Sequence, residues 1–114
     1  MALYIVVHHR LDAPHDKWKA NKWHDDDRIA SITTTPEIAE ACRKADVVYV
    51  HRCCWKPKGG RYVKPSISCA ARVSKIDNSR SQPTVHFHEV ELVGKPVKRR
   101  LYGREQPFYS APAP

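Results

Sequence analysis

The stretch Val47–Trp55 (VVYVHRCCW) decides the fold of this 114-residue chain, because it is the strongest β-strand signal in the sequence. β-branched and aromatic residues favour strands, and successive side chains along a strand point to opposite faces. The alternation therefore puts Tyr49 and His51 on one face of the strand. Val50 and Arg52 fall on the opposite face.

Two more strands are predicted downstream of this one. Residues 67–76 alternate apolar and polar side chains, which is the pattern of a sheet with one face exposed to water. Residues 84–93 also alternate, but their phase changes part way along. A β-bulge near His88 or Glu89 would restore the phase, so we predict one there.

The first half of the chain predicts one strand and one helix. Leu3–His8 is a short run rich in β-branched residues, typical of a central strand that is buried on both faces. Residues 9–28 are polar and irregular, and they predict a long connection. The helix that follows is capped by Thr34 or by Thr35, since both registers are favourable, and we expect it to end near Ala45.

These elements predict an α+β fold. Strands joined by short turns favour a small, mainly antiparallel sheet of about five strands, curled or barrel-like, with one short helix packed on it. The length fits a single compact domain over residues 1–114. An additional strand is expected around Leu101 and Tyr102, and residues 105–114 are expected to form a frayed, proline-rich tail.

Targeting signals and cysteine spacing bear on location. The apolar run near the N-terminus is too short for a signal peptide or a membrane span, so no membrane partner is expected. Cys53 and Cys54 are neighbours, which does not resemble a secreted disulfide framework. Reduced thiols and a cytoplasmic location are therefore predicted, whereas the oligomeric state is left open.

The positive charge is confined to the second half of the chain. Residues 1–54 hold eight Lys and Arg against eight Asp and Glu, whereas residues 55–114 hold twelve against four, which accounts for the whole net charge of +8. Clustered cations gain free energy by neutralising phosphates and releasing counterions. Nucleic acid is thus the first partner to consider, and an acidic protein surface the second. Strand pairing in chain order would spread this charge as a band across the sheet.

A resemblance to a known group supports the same reading. Between Asp46 and Lys98 the chain resembles the PUA-like β-barrels, in particular their EVE and ASCH members. The strands at 47–51, 67–73 and 85–93, followed by a basic, proline-containing tail at 94–98, carry this resemblance. The signature motifs of EVE and ASCH domains are absent. The resemblance implies a barrel with a pocket, between the loop after the first strand and the sheet, that reads a base or modified base.

The candidate nucleic-acid site combines aromatic, amide and cationic side chains. Aromatic rings stack on unpaired bases, an asparagine amide can bond a base edge, and cations bind phosphates. Both tryptophans of the pocket could instead pack the long connection onto the barrel. The predicted residues are Trp18, Asn21, Trp23, Tyr49, Lys56, Lys58, Arg61, Lys64, Arg72, Lys98, Arg99, Arg100 and Arg104.

Metal and catalytic readings are weaker. Five potential zinc ligands fall on strands expected to be neighbours, but in i, i+2 pairs and not as CxxC knuckles, so ordinary sheet positions are favoured and no metal or cofactor is expected. They are His51, Cys53, Cys69, His86 and His88. His24 with Asp25–Asp27 could hold a hard cation for phosphodiester cleavage, although neighbouring carboxylates diverge.

Three functions follow in order of preference. The first is a non-catalytic nucleic-acid-binding module. The second is a small interaction protein, a subunit or an inhibitor, that docks its basic face on an acidic or nucleic-acid-binding protein complex. The third is a metal-dependent nuclease or a nucleotide amidohydrolase.

Overall fold

A computed structural model describes residues 1–10, 21–55, 67–94 and 108–112 of the chain. Their elements, in order, are β1 (Ala2–Arg10), β2 (Asn21–Trp23), β3 (Ile29–Thr33), α1 (Pro36–Lys44), β4 (Val47–Trp55), β5 (Ile67–Asp77), β6 (Thr84–Val93) and β7 (Phe108–Ala111). The strands form one curled sheet in the order β2-β3-β6-β5-β4-β1-β7. Only β1 and β4 pair in parallel among the described strands. The predicted α+β fold, a mainly antiparallel curled sheet carrying one helix, is confirmed.

The strand β1 lies inside the sheet, between β4 and β7. Residues 2–7 are all buried, with at most 7% of any of them exposed. A strand covered on both faces needs apolar side chains at successive positions, which explains the unbroken run of the sequence. The prediction of a central, doubly buried strand is therefore confirmed.

The helix begins in the second of the two predicted registers. Thr35 is the N-cap, its Oγ1 accepts a hydrogen bond from the Ile38 amide at 3.3 Å, and Pro36 occupies the first helical turn. The helix ends at Lys44, with two cations in its last turn. Cations there complement the negative end of the helix dipole.

The main core lies between α1 and the face of the sheet on which the helix packs, here called the inner face. Ile5 and Val50 contribute to it from the centre of the sheet, and Ile38 and Cys42 from the helix. Burial raises the pKa of the Cys42 thiol to about 12, so this cysteine behaves as a small apolar side chain.

The predicted bulge in β6 is confirmed. Ala70 pairs with Glu91 and Arg72 with His88, so β6 carries one residue more than β5 between these two pairs. Glu89 adopts a positive φ of 50°, which marks the bulge. Both halves of β6 thereby direct apolar side chains to the inner face.

The sheet has seven strands where about five were predicted, and three of the seven, β2, β3 and β7, were not predicted. β2 and β3 form a hairpin inside and just after the segment expected to be irregular, and β7 pairs with β1. The expectation of a frayed tail over residues 105–114 is thus wrong at residues 108–111, because backbone pairing with β1 orders them. The strand predicted around Leu101 and Tyr102 lies outside the described residues.

Candidate functional site

The sheet has two distinct ends, defined here by the strand register. At the segment end, β4 and β6 finish and β5 begins, as the pairs Arg52–Ile67 and Ser68–Val93 show. β1 runs parallel to β4 and finishes at this end beside it. β7 runs antiparallel to β1, so its first residue is the one nearest to the segment end. At the helix end, β4 and β6 begin, β5 finishes and α1 packs.

Charge separates the described residues from the segments between them. The described residues hold nine Lys and Arg against nine Asp and Glu, so their net charge is zero. Residues 56–66 hold four cations and no acid, and residues 95–107 hold five cations and one acid. Residues 11–20 are balanced, with two of each. The whole +8 therefore belongs to residues 56–66 and 95–107, here called the basic segments.

Both basic segments connect strands through the segment end. Residues 56–66 join the end of β4 to the start of β5, and residues 95–107 join β6 to β7. The strand order places β6 and β7 four positions apart, on either side of β5, β4 and β1. At a spacing of about 4.8 Å per strand, this separation is roughly 19 Å along a flat sheet. The flanks of the two segments thus lie close together.

The cations of β5 and the following turn do not extend this charge. Between residues 67 and 94 the three cations Arg72, Lys75 and Arg80 are matched by three acids. Arg72 lies 3.2 Å from a Glu89 oxygen and also donates to a backbone carbonyl at 3.3 Å. The described residues, here called the framework, therefore carry no net charge. Within them, no band of net positive charge crosses the sheet, contrary to the expectation from the sequence.

A polar cluster fills the inner face at the segment end. The Arg52 side chain is only 1% exposed, and its Nη1 donates to Asp27 Oδ1 at 3.1 Å. Its guanidinium carbon lies 4.9 Å from the centre of the Trp23 ring, a cation–π geometry. Trp23 Nε1 in turn donates to Asn21 Oδ1 at 2.8 Å. Four side chains from β2, the β2–β3 turn and β4 are thereby fixed together.

The turn between β2 and β3 supplies the carboxylate of this cluster. The His24 amide donates to the Arg28 carbonyl at 2.8 Å, which closes the turn. Asp27 has a φ of 68°, a left-handed conformation that aspartate adopts more readily than most residues. Asp26 instead accepts from the Arg28 amide and guanidinium, and these bonds lower the pKa of Asp26. The acidic run therefore diverges and assembles no cation site with His24.

Sequence interpretation missed Arg52, and it considered Asp27 only as a ligand for a hard cation and not as the partner of Arg52. The available signal was the phase of β4, since Arg52 follows Val48 and Val50 on the same apolar face. A charged residue at a core position needs a buried partner. This partner, Asp27, lies in the segment that the sequence predicts to be a long, irregular connection.

Tyr49 lies on the outer face, opposite the helix. Its ring stacks on Tyr4 with centroids 4.9 Å apart and an interplanar angle of 14°. Next to it, His51 Nδ1 shares a hydrogen bond with Ser68 Oγ at 2.7 Å, and burial lowers the pKa of His51. Because Trp23 packs on the inner face, the structure does not bring Trp23 and Tyr49 into one pocket, contrary to the prediction.

The structure describes only some of the other residues predicted to bind nucleic acid. It brings Asn21 and Trp23 together, whereas Arg72 lies away from them towards the helix end. The remainder fall outside the described residues: Trp18, Lys56, Lys58, Arg61, Lys64, Lys98, Arg99, Arg100 and Arg104.

The candidate zinc ligands do not converge where the structure describes them. His51 and Ser68 are paired on the outer face, whereas Cys69 lies on the inner face and its Sγ is 3.6 Å from the Asp27 carbonyl. His86 and His88 lie further along β6, and the side chain of Cys53 is not among those described. Within the described ranges, no group of three His, Cys, Asp or Glu side chains has a geometry that could hold a metal ion.

Comparison with known proteins adds no relative. The chain matches no protein-family model, no curated protein and no solved structure. The resemblance to PUA-like barrels therefore stays a prediction. Among the described helices, none is long and apolar enough to cross a membrane.

Proposed function

We propose that this protein is a non-catalytic nucleic-acid-binding module that binds the phosphate backbone at its segment end. The observation that carries the proposal is the separation of charge, with a framework of zero net charge and all of the +8 in two segments anchored at one end. A solvated surface with no polyanionic partner has no need for such separation. Concentrated cations, in contrast, raise both the affinity and the association rate for a polyanion.

The anchoring of the basic segments supports a compact contact area. The strands β6 and β7 that flank the second segment lie roughly 19 Å apart along the sheet, and the two segments together hold nine Lys and Arg residues. The proposed phosphate-binding residues are Lys56, Lys58, Arg61, Lys64, Lys98, Arg99, Arg100 and Arg104.

The polar cluster supports the proposal by positioning the strands that carry these segments. Arg52 lies four residues before the start of the first basic segment and is fixed by Asp27 and Trp23. A strand end that is already fixed reduces the entropy that the protein loses on binding. In this proposal no residue catalyses a reaction, and the protein acts in the cytoplasm. The sequence resemblance makes it a PUA-like barrel.

A titration over a salt series tests the proposal. Fluorescence anisotropy of labelled 12-nucleotide RNA, DNA and duplex DNA is measured between about 50 and 300 mM KCl. Over this range the Debye length changes on the order of twofold. The proposal predicts saturable binding, and the logarithm of the association constant should fall linearly with the logarithm of the salt concentration. No binding to any of the three at 50 mM salt would contradict it and favour the interaction protein that docks on an acidic protein surface.

A further inference from the structure

The helix end carries a groove that the proposed function does not use. The groove runs between α1 and β5 and has a volume of about 930 Å³. Its apolar floor is formed by Ala39 and Ala45 from the helix side and by Val73 and Ile76 from the sheet. Volumes of roughly 300 to 1,000 Å³ are typical of ligand sites.

Two features of the sequence open this groove. The helix presents alanines to β5, and such short side chains leave space between the helix and the sheet. β5 also contains a second bulge, because Val73 pairs with Phe87 and Lys75 with His86, which adds Ser74 to β5. The extra residue turns Ile76 to the floor and leaves Lys75 exposed at the rim.

The charges of the rim are unequally engaged. Glu40 accepts from Arg43 at 2.9 Å, and Asp46 lies 2.8 Å from the N-terminal amine. These contacts lower the pKa values of both carboxyl groups, so both acids are ionised and already paired. Lys75 makes no hydrogen bond or ion pair with another residue that the structure describes.

We infer that this groove binds an extended, acidic segment of a partner protein. Apolar side chains of the segment pack on Val73 and Ile76, and a carboxylate of the segment pairs with Lys75. An extended chain directs alternate side chains to opposite sides, which suits an apolar floor with the Lys75 ammonium at its rim. From Val73 to Asn78 the sheet wall is about 17 Å long, the length of roughly five extended residues.

The groove and the segment end act independently. They lie at opposite ends of β5, whose 11 residues extend over about 35 Å. Charges this far apart are screened from each other at physiological salt, where the Debye length is about 8 Å. Peptide binding at the groove can therefore succeed or fail whether or not nucleic acid binds.

Titration with two peptides tests the inference. A peptide of alternating leucine and glutamate, seven residues by design in keeping with the groove length, is added to the ¹⁵N-labelled protein, and amide shifts are followed by NMR. The control peptide has lysine in place of glutamate. The inference predicts saturable shifts at Val73, Lys75 and Ile76 with the acidic peptide, with a Kd below about 1 mM, and no saturation with the basic one.

A matched pair of variants locates the contact. Lys75→Glu is expected to weaken binding of the acidic peptide about tenfold or more, a magnitude typical of a charge reversal at a contact. Arg80→Glu makes the same charge change on an exposed residue outside the groove and is expected to change the Kd less than about twofold. Equal losses in the two variants, or no saturable shifts at the groove, would overturn the inference.

Discussion

The two ends of the inner face are equally buried but chemically opposite. At the helix end, Ile38 and Cys42 are 3% and 0% exposed and belong to the apolar core cluster. At the segment end, a guanidinium that is 1% exposed takes the equivalent position and is neutralised by Asp27. Burial alone thus does not distinguish the two ends, whereas charge does.

The two ends differ in how well they tolerate amino-acid substitutions. Apolar packing is tolerant, because side chains of similar volume replace one another at modest cost. A buried ion pair stabilises little overall, but it is sensitive to the loss of either partner. The ion pair at the segment end therefore fixes the β2–β3 hairpin in one position, and the helix end packs by apolar contacts.

The largest effect is expected from breaking the ion pair between the buried Arg52 and the partly exposed Asp27. Asp27→Asn keeps a residue that tolerates the left-handed backbone but leaves the Arg52 charge without this carboxylate, so unfolding free energy should fall by about 3 kcal/mol. Asp25→Asn is the control, since Asp25 is exposed, and it should change the free energy by less than about 0.5 kcal/mol. Urea unfolding followed by circular dichroism measures both.

Replacing the whole pair sharpens this result. The double variant Asp27→Asn with Arg52→Met removes both charges together and keeps a residue that tolerates the left-handed backbone at position 27, so it should be more stable than Asp27→Asn by at least about 1 kcal/mol. If Asp27→Asn and Asp25→Asn were equally stable, the pair would not fix the hairpin.

A smaller effect is expected at the helix end. Thr35→Ala removes the acceptor of the Ile38 amide and should lower the free energy of unfolding by about 1 kcal/mol. Thr35→Ser keeps a hydroxyl at the cap and serves as the control in the same urea experiment. An alanine variant as stable as the serine variant would show that the cap does not stabilise the helix.

The smallest effect concerns pH on the outer face of the segment end. Burial lowers the pKa of His51, so the folded protein binds this proton less readily than the unfolded chain does. The free energy of unfolding should accordingly decrease as pH falls through the ordinary histidine pKa of about 6.5.

The variant His51→Gln tests this assignment. Between pH 7.5 and 5.5, a range placed about one unit either side of the ordinary pKa, its loss of stability should be smaller than that of the wild type. His24→Gln, at an exposed position, should retain the wild-type profile. A wild-type profile in His51→Gln would exclude His51 as the source.

Sequence pattern predicted the elements whose signals are local. Val47–Trp55 and Thr84–Val93 have the predicted bounds, since alternation of apolar residues is set within each strand. The cap at Thr35 and the bulge at Glu89 also follow from neighbouring residues.

The elements that pattern could not predict depend on distant partners. β7 is four residues long and pairs with β1 at the other end of the chain. β2 is three residues long and pairs with β3, which is attached to the sheet by pairing with the distant strand β6. The contact of Arg52 with Asp27 joins residues 25 positions apart, and no periodicity reports it. The alternation did place Tyr49 and Arg52 on opposite faces of β4, which anticipates the separation of Tyr49 from Trp23.

The most direct test of the central claim compares two triple charge reversals. Lys98→Glu, Arg99→Glu and Arg100→Glu change a basic segment, and Lys22→Glu, Lys44→Glu and Arg80→Glu make the same net change on exposed framework residues. Oligonucleotide affinity is measured at about 150 mM salt, where the Debye length is about 8 Å. The account predicts a loss of about 100-fold and a shallower salt dependence for the first variant only. Equal losses in both variants would show that net charge, and not its concentration at the segment end, determines binding.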